Sequence, residues 1–181
     1  MSKTIRQAKG LSGAQGWPVE AAARAAKAGW SVEQTLPLLE RIRAATFTLF
    51  TPATLKYLIH GGRVGHLKGL VASVLNIKPL IGIEKEGGTY VQHGQTRTLK
   101  RALLKMADFV AEQHAPGSSM RLQVFHGDNS EGAATLRERL EQIFDCAWLP
   151  TSLIAPVLGA HTGPGLVGLV YAPQEAFAEM P

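Results

Sequence analysis

The sequence predicts an α/β fold, in which a mixed β-sheet of about five or six strands carries helices on its faces. From residue 77 onward, short runs rich in Val, Ile and Leu alternate with longer stretches whose apolar residues recur at helical spacing. Turn residues such as Gly87-Gly88 and Pro116-Gly117 separate these runs. This alternation of strand-like and helix-like segments is typical of a sheet flanked by helices.

Length and composition place the chain among globular proteins. Its 181 residues can bury a sizeable core, and 45% of them are hydrophobic while 18% are charged. No apolar run approaches the length of a membrane span, and the start lacks the apolar centre of a signal peptide. We therefore expect a cytoplasmic protein. Cys146 is the single cysteine, which excludes an intrachain disulfide and a cysteine metal cluster.

The positive charge is concentrated in the middle of the chain. Residues 54–110 hold nine Lys/Arg against three Asp/Glu, whereas residues 111–181 hold three against eight. A basic protein can bind nucleic acid, but these basic residues neither form a run nor alternate with aromatic residues. We therefore expect no nucleic-acid binding and interpret the asymmetry as a basic face for an acidic protein or an anionic ligand.

The first part of the chain, residues 1–53, is expected to be mainly helical. Pro18 suits the first position of a helix that Gly29 closes, and Ser31 with Gln34 forms a capping box that opens a second helix. The other elements expected here are a short strand over 1–7, a glycine-rich loop over 11–16 and a short strand over 46–50.

The stretch from Thr54 to Pro79 is predicted as a helix with a break. A short helix ends at Gly61-Gly62, because glycine takes the left-handed conformation of a helix C-cap without a steric penalty. Arg63 follows on the tight turn, close to the positive end of a second apolar helix over about 66–75. The second helix then leads into a strand.

The remaining elements follow in regular order. Strands over 77–84 and 89–92 form a hairpin, and Thr96 or Thr98 caps a long helix that ends at Pro116-Gly117. Asn129 or Ser130 caps a further helix that runs to about residue 144. The other strands are expected over 121–126, 147–149, 152–158 and 166–172.

The sequence His161-Thr162-Gly163-Pro164-Gly165 is a candidate anion site. Its glycines allow a tight turn in which backbone N–H groups converge, and His161 is expected where strand gives way to loop. An imidazole N–H there can donate to a carboxylate; alternatively, the histidine only satisfies a backbone carbonyl at the strand end. His60 and His66 have no carboxylate or cysteine at metal-ligand spacing, so we expect no metal site.

Three motifs in this order carry a resemblance to a known family. They are L-x-x-L-x-x-G-G-R at residues 55–63 with its L-N-I-K-P exit at 75–79, Q-T-R-T at 95–98, and H-T-G-P-G at 161–165. Together they resemble the second half of the DegV family of bacterial fatty-acid-binding proteins. The resemblance implies a fold like the DegV C-terminal domain over residues 54–181. Residues 1–53 would then be a helical remnant of the family's first domain, or a linker.

The resemblance also implies a function without catalysis. Such a protein binds a long-chain fatty acid, needs no cofactor, and presents the lipid carboxylate to a separate fatty acid kinase of the dihydroxyacetone-kinase type, which makes the acyl phosphate. Arg63 and Arg97 would contribute to the surface that docks the kinase. The ligand-binding residues implied for this chain are His161, Thr162, Gly163, Gly165, Gly62 and Arg63.

Two further expectations concern apolar residues. An acyl tunnel could be walled by residues of the central stretch and the next strand, although the same side chains could be plain core: Leu67, Leu70, Val71, Val74, Leu75, Ile81 and Ile83. In longer relatives a further segment precedes this one and supplies hydroxyl groups that help to hold the carboxylate. Its absence here would leave Trp17, Trp30, Phe47 and Phe50 partly exposed, which favours self-association.

An enzyme-related alternative remains open. The family's fold is related to that of dihydroxyacetone kinases, in which a histidine holds a small carbonyl compound covalently. His161 could do the same, and the chain would then be the substrate-binding subunit of such a system. A bound long aliphatic chain favours the first function, and a bound triose-sized molecule favours the second.

Overall fold

A computed structural model describes residues 10–63 and 77–181, and it confirms the α/β class with a mixed sheet flanked by helices. The strand expected over 1–7 and the second helix expected over 66–75 lie outside the described residues. The helices are α1 Gly13–Lys27, α2 Val32–Ala45, α3 Lys56–His60, α4 Leu99–Ala111, α5 Ser130–Glu141 and α6 Pro156–Thr162, followed by a 3-10 turn over Gln174–Phe177. The strands are β1 Phe47–Thr51, β2 Lys78–Ile83, β3 Tyr90–Thr96, β4 Ser119–His126, β5 Asp145–Trp148, β6 Ser152–Leu153 and β7 Val167–Pro173.

The described strands form one seven-stranded sheet in the order β3-β2-β1-β7-β4-β5, with the short β6 also paired to β4. β7 lies in the middle and pairs antiparallel with β1 and with β4. β4 pairs in parallel with β5 and β6, while β1, β2 and β3 pair antiparallel. β7 is buried along nearly its whole length because strands cover both of its edges and helices cover both faces.

The sheet separates two apolar layers. On one face α1, α2 and α3 pack over Phe50, Phe125 and Val170. On the other face α4 and α5 pack over Leu49, Leu122 and Leu169. Adjacent residues of β1 and β7 thus serve opposite layers, as the alternation of side chains along a strand requires.

β1 links the two parts into which the sequence divides at residue 53. It precedes this boundary, yet Phe50 pairs with Ile81 and with Gly168 in the centre of the sheet. Both parts therefore share one sheet here, and the division at residue 53 stays a prediction about how longer relatives are built.

α1 begins five residues earlier than the sequence predicts. The expected loop over 11–16 is largely helical, and Pro18 lies inside the helix rather than at its first position. Ala14 and Trp17 are both buried, and Trp17 packs edge-on against Phe177 at 5.5 Å between ring centroids. The free energy gained by burying Ala14 and Trp17 outweighs the loss of the backbone hydrogen bond that Pro18 cannot donate.

The expected exposure of two aromatic side chains is also wrong. Trp17 and Phe50 are 2% and 1% exposed, because α1, α2 and the sheet enclose them. Trp30 and Phe47 are partly buried. The large apolar side chains that α1 and α2 do expose are Val19, Val32 and Leu36.

The helix breaks at Gly61-Gly62 as predicted. Gly62 has φ 70°, the Gly62 N–H donates to Ile59 O at 3.0 Å, and the Arg63 N–H donates to Leu58 O at 2.9 Å. These two hydrogen bonds define a Schellman cap of α3. The capping box at Ser31 and Gln34 is likewise present at the start of α2.

The strand predicted over 152–158 is wrong beyond its first two residues. β6 covers only Ser152–Leu153, and α6 begins at Pro156 and ends at Thr162. Proline cannot donate to a strand ladder, but its fixed φ suits the first turn of a helix. α4 also ends at Ala111, before Pro116-Gly117, whereas the hairpin of β2 and β3 and the caps at Thr98 and Asn129 agree with the sequence.

None of the helices within 10–63 and 77–181 is long and apolar enough to cross a membrane. The same part of the chain holds no group of three or more His, Cys, Asp or Glu residues that could bind a metal ion.

Substitution of Gly168 in β7 and of Gly16 in α1 compares a tightly packed position with an open one. A Cβ added at Gly168 would overlap the ring of Phe125, whereas one added at Gly16 in α1 would meet no atom within 4 Å. We expect Gly168→Ala to lower the free energy of unfolding by about 1–3 kcal/mol. Gly16→Ala should raise it by about 0.5–1 kcal/mol, since alanine favours a helix interior. Urea titration measures both, and equal effects would contradict the packing described.

His114 makes stability depend on pH. Burial lowers its pKa below the ordinary 6.5, and its Nε2 is buried without a hydrogen-bond partner in the described residues. As the pH falls through 6.5, the unfolded chain binds a proton before the folded chain does, so the free energy of unfolding should fall. Urea titrations between about pH 7.5 and about pH 5 should show a smaller fall for His114→Gln than for the native chain. Parallel curves would exclude this role.

Candidate functional site

The sheet gathers the sequence motifs at one of its edges. Val167, at the start of β7, pairs with Thr51 at the end of β1 and with His126 at the end of β4. Lys78, at the start of β2, pairs with Thr96 at the end of β3. Because β1 and β2 are antiparallel neighbours, all these strand ends lie at the same edge. The H-T-G-P-G turn, the G-G-R turn and the Q-T-R-T segment therefore lie at the same edge, although about a hundred residues separate the G-G-R turn from the H-T-G-P-G turn in the chain.

His161 occupies the last turn of α6 and not a strand end as predicted. α6 packs against α3, and a Cβ added at Gly61 would lie 2.5 Å from His161 Nδ1. The glycine thus makes room for the imidazole. Nδ1 is buried and has no hydrogen-bond partner in the part of the chain that the structure describes. A buried unpaired ring nitrogen favours a partner that comes from outside these residues.

The turn after His161 packs against α3 and the end of β1. Gly163 and Gly165 have φ 75° and 80°, which favour glycine. A Cβ at Gly163 would overlap the ring of Tyr57, and one at Gly165 would come within 2.7 Å of Ala53 Cβ. These glycines allow a close approach of backbone to side chain.

The expected convergence of the turn's N–H groups on an anion is not seen. The Gly163 N–H donates to Gly159 O at 2.8 Å, and the Gly165 N–H donates to Gly127 O. Thr162 is fully buried, and its hydroxyl donates to Leu158 O at 2.9 Å within α6. The predicted ligand contacts of Thr162, Gly163 and Gly165 therefore stay predictions, with these donors used inside the protein.

Arg63 lies exposed on the Schellman turn of α3. Its Nη1 donates to Gly61 O at 2.7 Å, so the guanidinium folds back toward the glycine that His161 contacts. Burial raises the pKa of Tyr90 at the start of β3, and the positive charge of Arg63 opposes that rise. The hydrogen bond to Gly61 O places this fixed charge beside the turn that His161 contacts.

Arg97 is exposed between β3 and α4 and follows Thr96, which pairs with Lys78. Lys78 Nζ donates to Ala53 O and so ties the start of β2 to the segment before α3. Lys78 thus has a structural role. Arg97 thus follows a strand that ends at the same edge as the G-G-R turn.

His126, Asp128 and Asn129 were not among the predicted site residues. The Asn129 N–H donates to His126 Nδ1 at 3.1 Å, which leaves Nε2 to carry the proton of the neutral ring. Asn129 Nδ2 also donates to Gly165 O at 3.1 Å and so fixes the H-T-G-P-G turn. An open cavity of about 320 Å³ lies here, lined by His126, Asp128, Ile154 and Pro164 among others. The sequence held a signal for this site: His126 ends the strand predicted over 121–126, and Asp128 and Asn129 follow at its carboxyl end, where α/β sheets often bind ligands.

The predicted tunnel residues separate into two groups. Leu67, Leu70, Val71, Val74 and Leu75 lie outside the described residues. Ile81 is fully buried in the layer under α1, α2 and α3, and Ile83 is partly buried at the far end of β2. Ile81 is therefore a core residue, as the alternative to a tunnel wall had it.

The arrangement suits binding of an anionic group. A buried imidazole nitrogen and an arginine can donate to an oxyanion. Within residues 10–63 and 77–181, no carboxylate hydrogen-bonds to the buried Nδ1 of His161.

Comparison with known proteins gives a family. The sequence model of the DegV family, described as an uncharacterised protein family, matches residues 5–174. A DegV domain-containing protein of Deinococcus radiodurans is 32% identical over 170 residues, which are 94% of this chain and 59% of that protein. Another, from Streptomyces coelicolor, is 35% identical over 158 residues, or 87% of this chain and 55% of that protein.

Solved structures share the fold. A DegV lipid-binding protein of Thermotoga maritima superimposes with TM-score 0.80 at 26% identity, covering 94% of this chain and 58% of its own. A DegV family protein of Thermus thermophilus, described as binding fatty acid, superimposes with TM-score 0.79 at 27% identity. The superposition covers 94% of this chain and 60% of the Thermus thermophilus chain.

The chain spans somewhat more than half the length of these relatives. The match to the family model nevertheless extends over most of this chain, and it includes the three motifs that the sheet brings to one edge. This chain belongs to the DegV family.

Proposed function

We propose that this chain binds a long-chain fatty acid and presents its carboxylate to a separate fatty acid kinase of the dihydroxyacetone-kinase type. The observation that carries the proposal is the buried Nδ1 of His161, which has no hydrogen-bond partner among residues 10–63 and 77–181 and lies against Gly61 beside Arg63. A carboxylate is the ligand that an imidazole N–H and a nearby guanidinium both favour. Two structural relatives above 25% identity are described as binding lipid or fatty acid.

The lipid tail supplies most of the affinity in this proposal. Each buried CH₂ contributes about 0.8 kcal/mol, which is about fourfold in affinity. Affinity should therefore rise steeply with chain length until the tail fills its site. A triose-sized carbonyl compound gains nothing of this kind, so a chain-length series separates the carrier from the alternative of a kinase substrate subunit.

His161 is expected to hold the head group. A hydrogen bond to a charged group contributes about 1.5–3 kcal/mol, so His161→Ala should weaken fatty-acid binding by about tenfold or more. His161→Gln keeps an N–H donor and should lose less. The measurement is mass spectrometry of fatty acid in organic extracts of the purified variants, with titration of a fluorescent fatty acid as the second readout.

The exposed His60 gives a matched control for this experiment. It lies on α3, one residue before the Gly61 that His161 contacts, and His60→Ala should retain the lipid. An empty extract from the well-folded native chain would contradict lipid binding by this chain alone. Equal retention by His161→Ala and the native chain would remove His161 from the site.

Arg97 is expected to act on the kinase and not on the lipid, whereas Arg63 is expected to serve both. The Arg97 side chain is exposed, and an arginine pairs with carboxylates of a partner in a bidentate way. Arg97→Ala should keep the bound fatty acid and lower acyl phosphate formation by a fatty acid kinase by about tenfold. The assay compares acyl phosphate yield with lipid content, using the exposed Lys27→Ala as control. Parallel loss of both would assign Arg97 to the lipid site.

A further inference from the structure

We propose that a cavity between α4 and the sheet is a second binding site, which takes a small aromatic carboxylate. The cavity encloses about 230 Å³. Its lining includes Phe47, Leu49, Val91, Phe109 and Tyr171, with Lys85 at its rim. This site is independent of the fatty-acid proposal and uses none of the residues proposed to hold the carboxylate or to dock the kinase.

The cavity lies on the other side of the sheet from His161. Leu49 and Tyr171 belong to the layer that α4 and α5 cover, whereas His161 contacts Gly61 at the end of α3. The cavity also lies toward the opposite edge, because Phe47 begins β1 and pairs with Tyr171 near the end of β7. A ligand here does not compete for space with one at His161.

The size and the walls of the cavity select the ligand. An apolar cavity of about 150 Å³ already binds benzene, whereas drug-sized ligands occupy about 300–1,000 Å³. The present volume therefore fits one aromatic ring with a short side chain. Phe47 stacks on Tyr171 at 5.5 Å, and His93 lies 4.5 Å from Phe109 between ring centroids. These rings offer faces and edges for a further aromatic ring.

Lys85 supplies the charge that an acid requires. Its Nζ lies 3.4 Å from the centroid of the Phe47 ring and donates to Ala44 O. Burial, and then the positive charge of Arg43, lower the pKa of Lys85 to about 8. A ligand carboxylate would compensate both effects, because an opposite charge stabilises a partly buried ammonium.

Other polar groups around the cavity have hydrogen-bond partners within the protein. The Glu84 carboxylate accepts from the Gly87 N–H at 2.8 Å and from the Glu86 N–H, within the β2–β3 turn. Burial lowers the pKa of His93, which favours its neutral ring at pH 7. On the α4 side, the Tyr171 hydroxyl donates to Gln113 Oε1 at 3.4 Å.

The test uses 3-phenylpropionate and its neutral analogue 3-phenylpropan-1-ol. We expect the acid to shift the amide NMR signals around Phe47, Val91 and Phe109, and titration then gives the dissociation constant. Lys85→Met should weaken binding of the acid about tenfold and leave binding of the alcohol unchanged. In the native chain the acid should also bind more weakly as the pH rises above 8, since the ammonium loses its proton, whereas Lys85→Met should not change.

Two controls make the outcome decisive. Lys100→Met replaces an exposed lysine on α4 and should leave both constants unchanged. Val91 lies on β3, the outermost strand of the sheet. Val91→Trp fills the cavity and should block binding of the acid and the alcohol alike. The proposal is overturned if the acid shifts signals elsewhere, if Lys85→Met and the native chain bind it equally, or if His161→Ala abolishes its binding. The last of these outcomes would place the acid at the edge that holds His161. If His161→Ala loses fatty acid but still binds 3-phenylpropionate, the cavity proposal stands.

Discussion

The pairing of β7 with β1 on one side and with β4 on the other is the interaction on which the rest of the structure depends. It joins the antiparallel half of the sheet to the half with parallel strands. Gly168 lies opposite Phe50 and Phe125 in this pairing, and the missing Cβ lets the Phe125 ring cover the strand. Because Val167 is aligned with Thr51 and His126, the same register decides which turns meet at the edge.

The edge is built from close contacts between glycines and rings. His161 lies against Gly61 and Tyr57 lies against Gly163, so α3 and α6 approach each other closely at two points. The N–H groups of Gly163 and Gly165 are used within the protein, and the turn therefore positions its neighbours instead of binding through its own backbone. What the edge offers to a ligand is the buried nitrogen of His161 and the positive charge of Arg63.

The two faces of the sheet differ in chemistry. One face places an imidazole beside helix ends. The other face has an aromatic cavity with Lys85 at its rim, where charge is partly desolvated. A side chain and its neighbour in a strand point to opposite faces, so one strand, β1, contributes Phe50 to the first layer and Leu49 to the second.

The sequence by itself determined the local elements and the family. Glycine at Gly62, the capping box at Ser31 and the periodicity of α4 act within a few residues, and the family motifs are also local. Where burial opposed a local preference, the sequence-based prediction was wrong: α1 continues through Pro18 because Trp17 is buried, and His161 lies in a helix that packs on α3. Only the tertiary structure decided that the G-G-R, Q-T-R-T and H-T-G-P-G segments share one edge, and that Lys85 borders an aromatic cavity. Strand order and register are set by contacts between distant residues, which no local pattern contains.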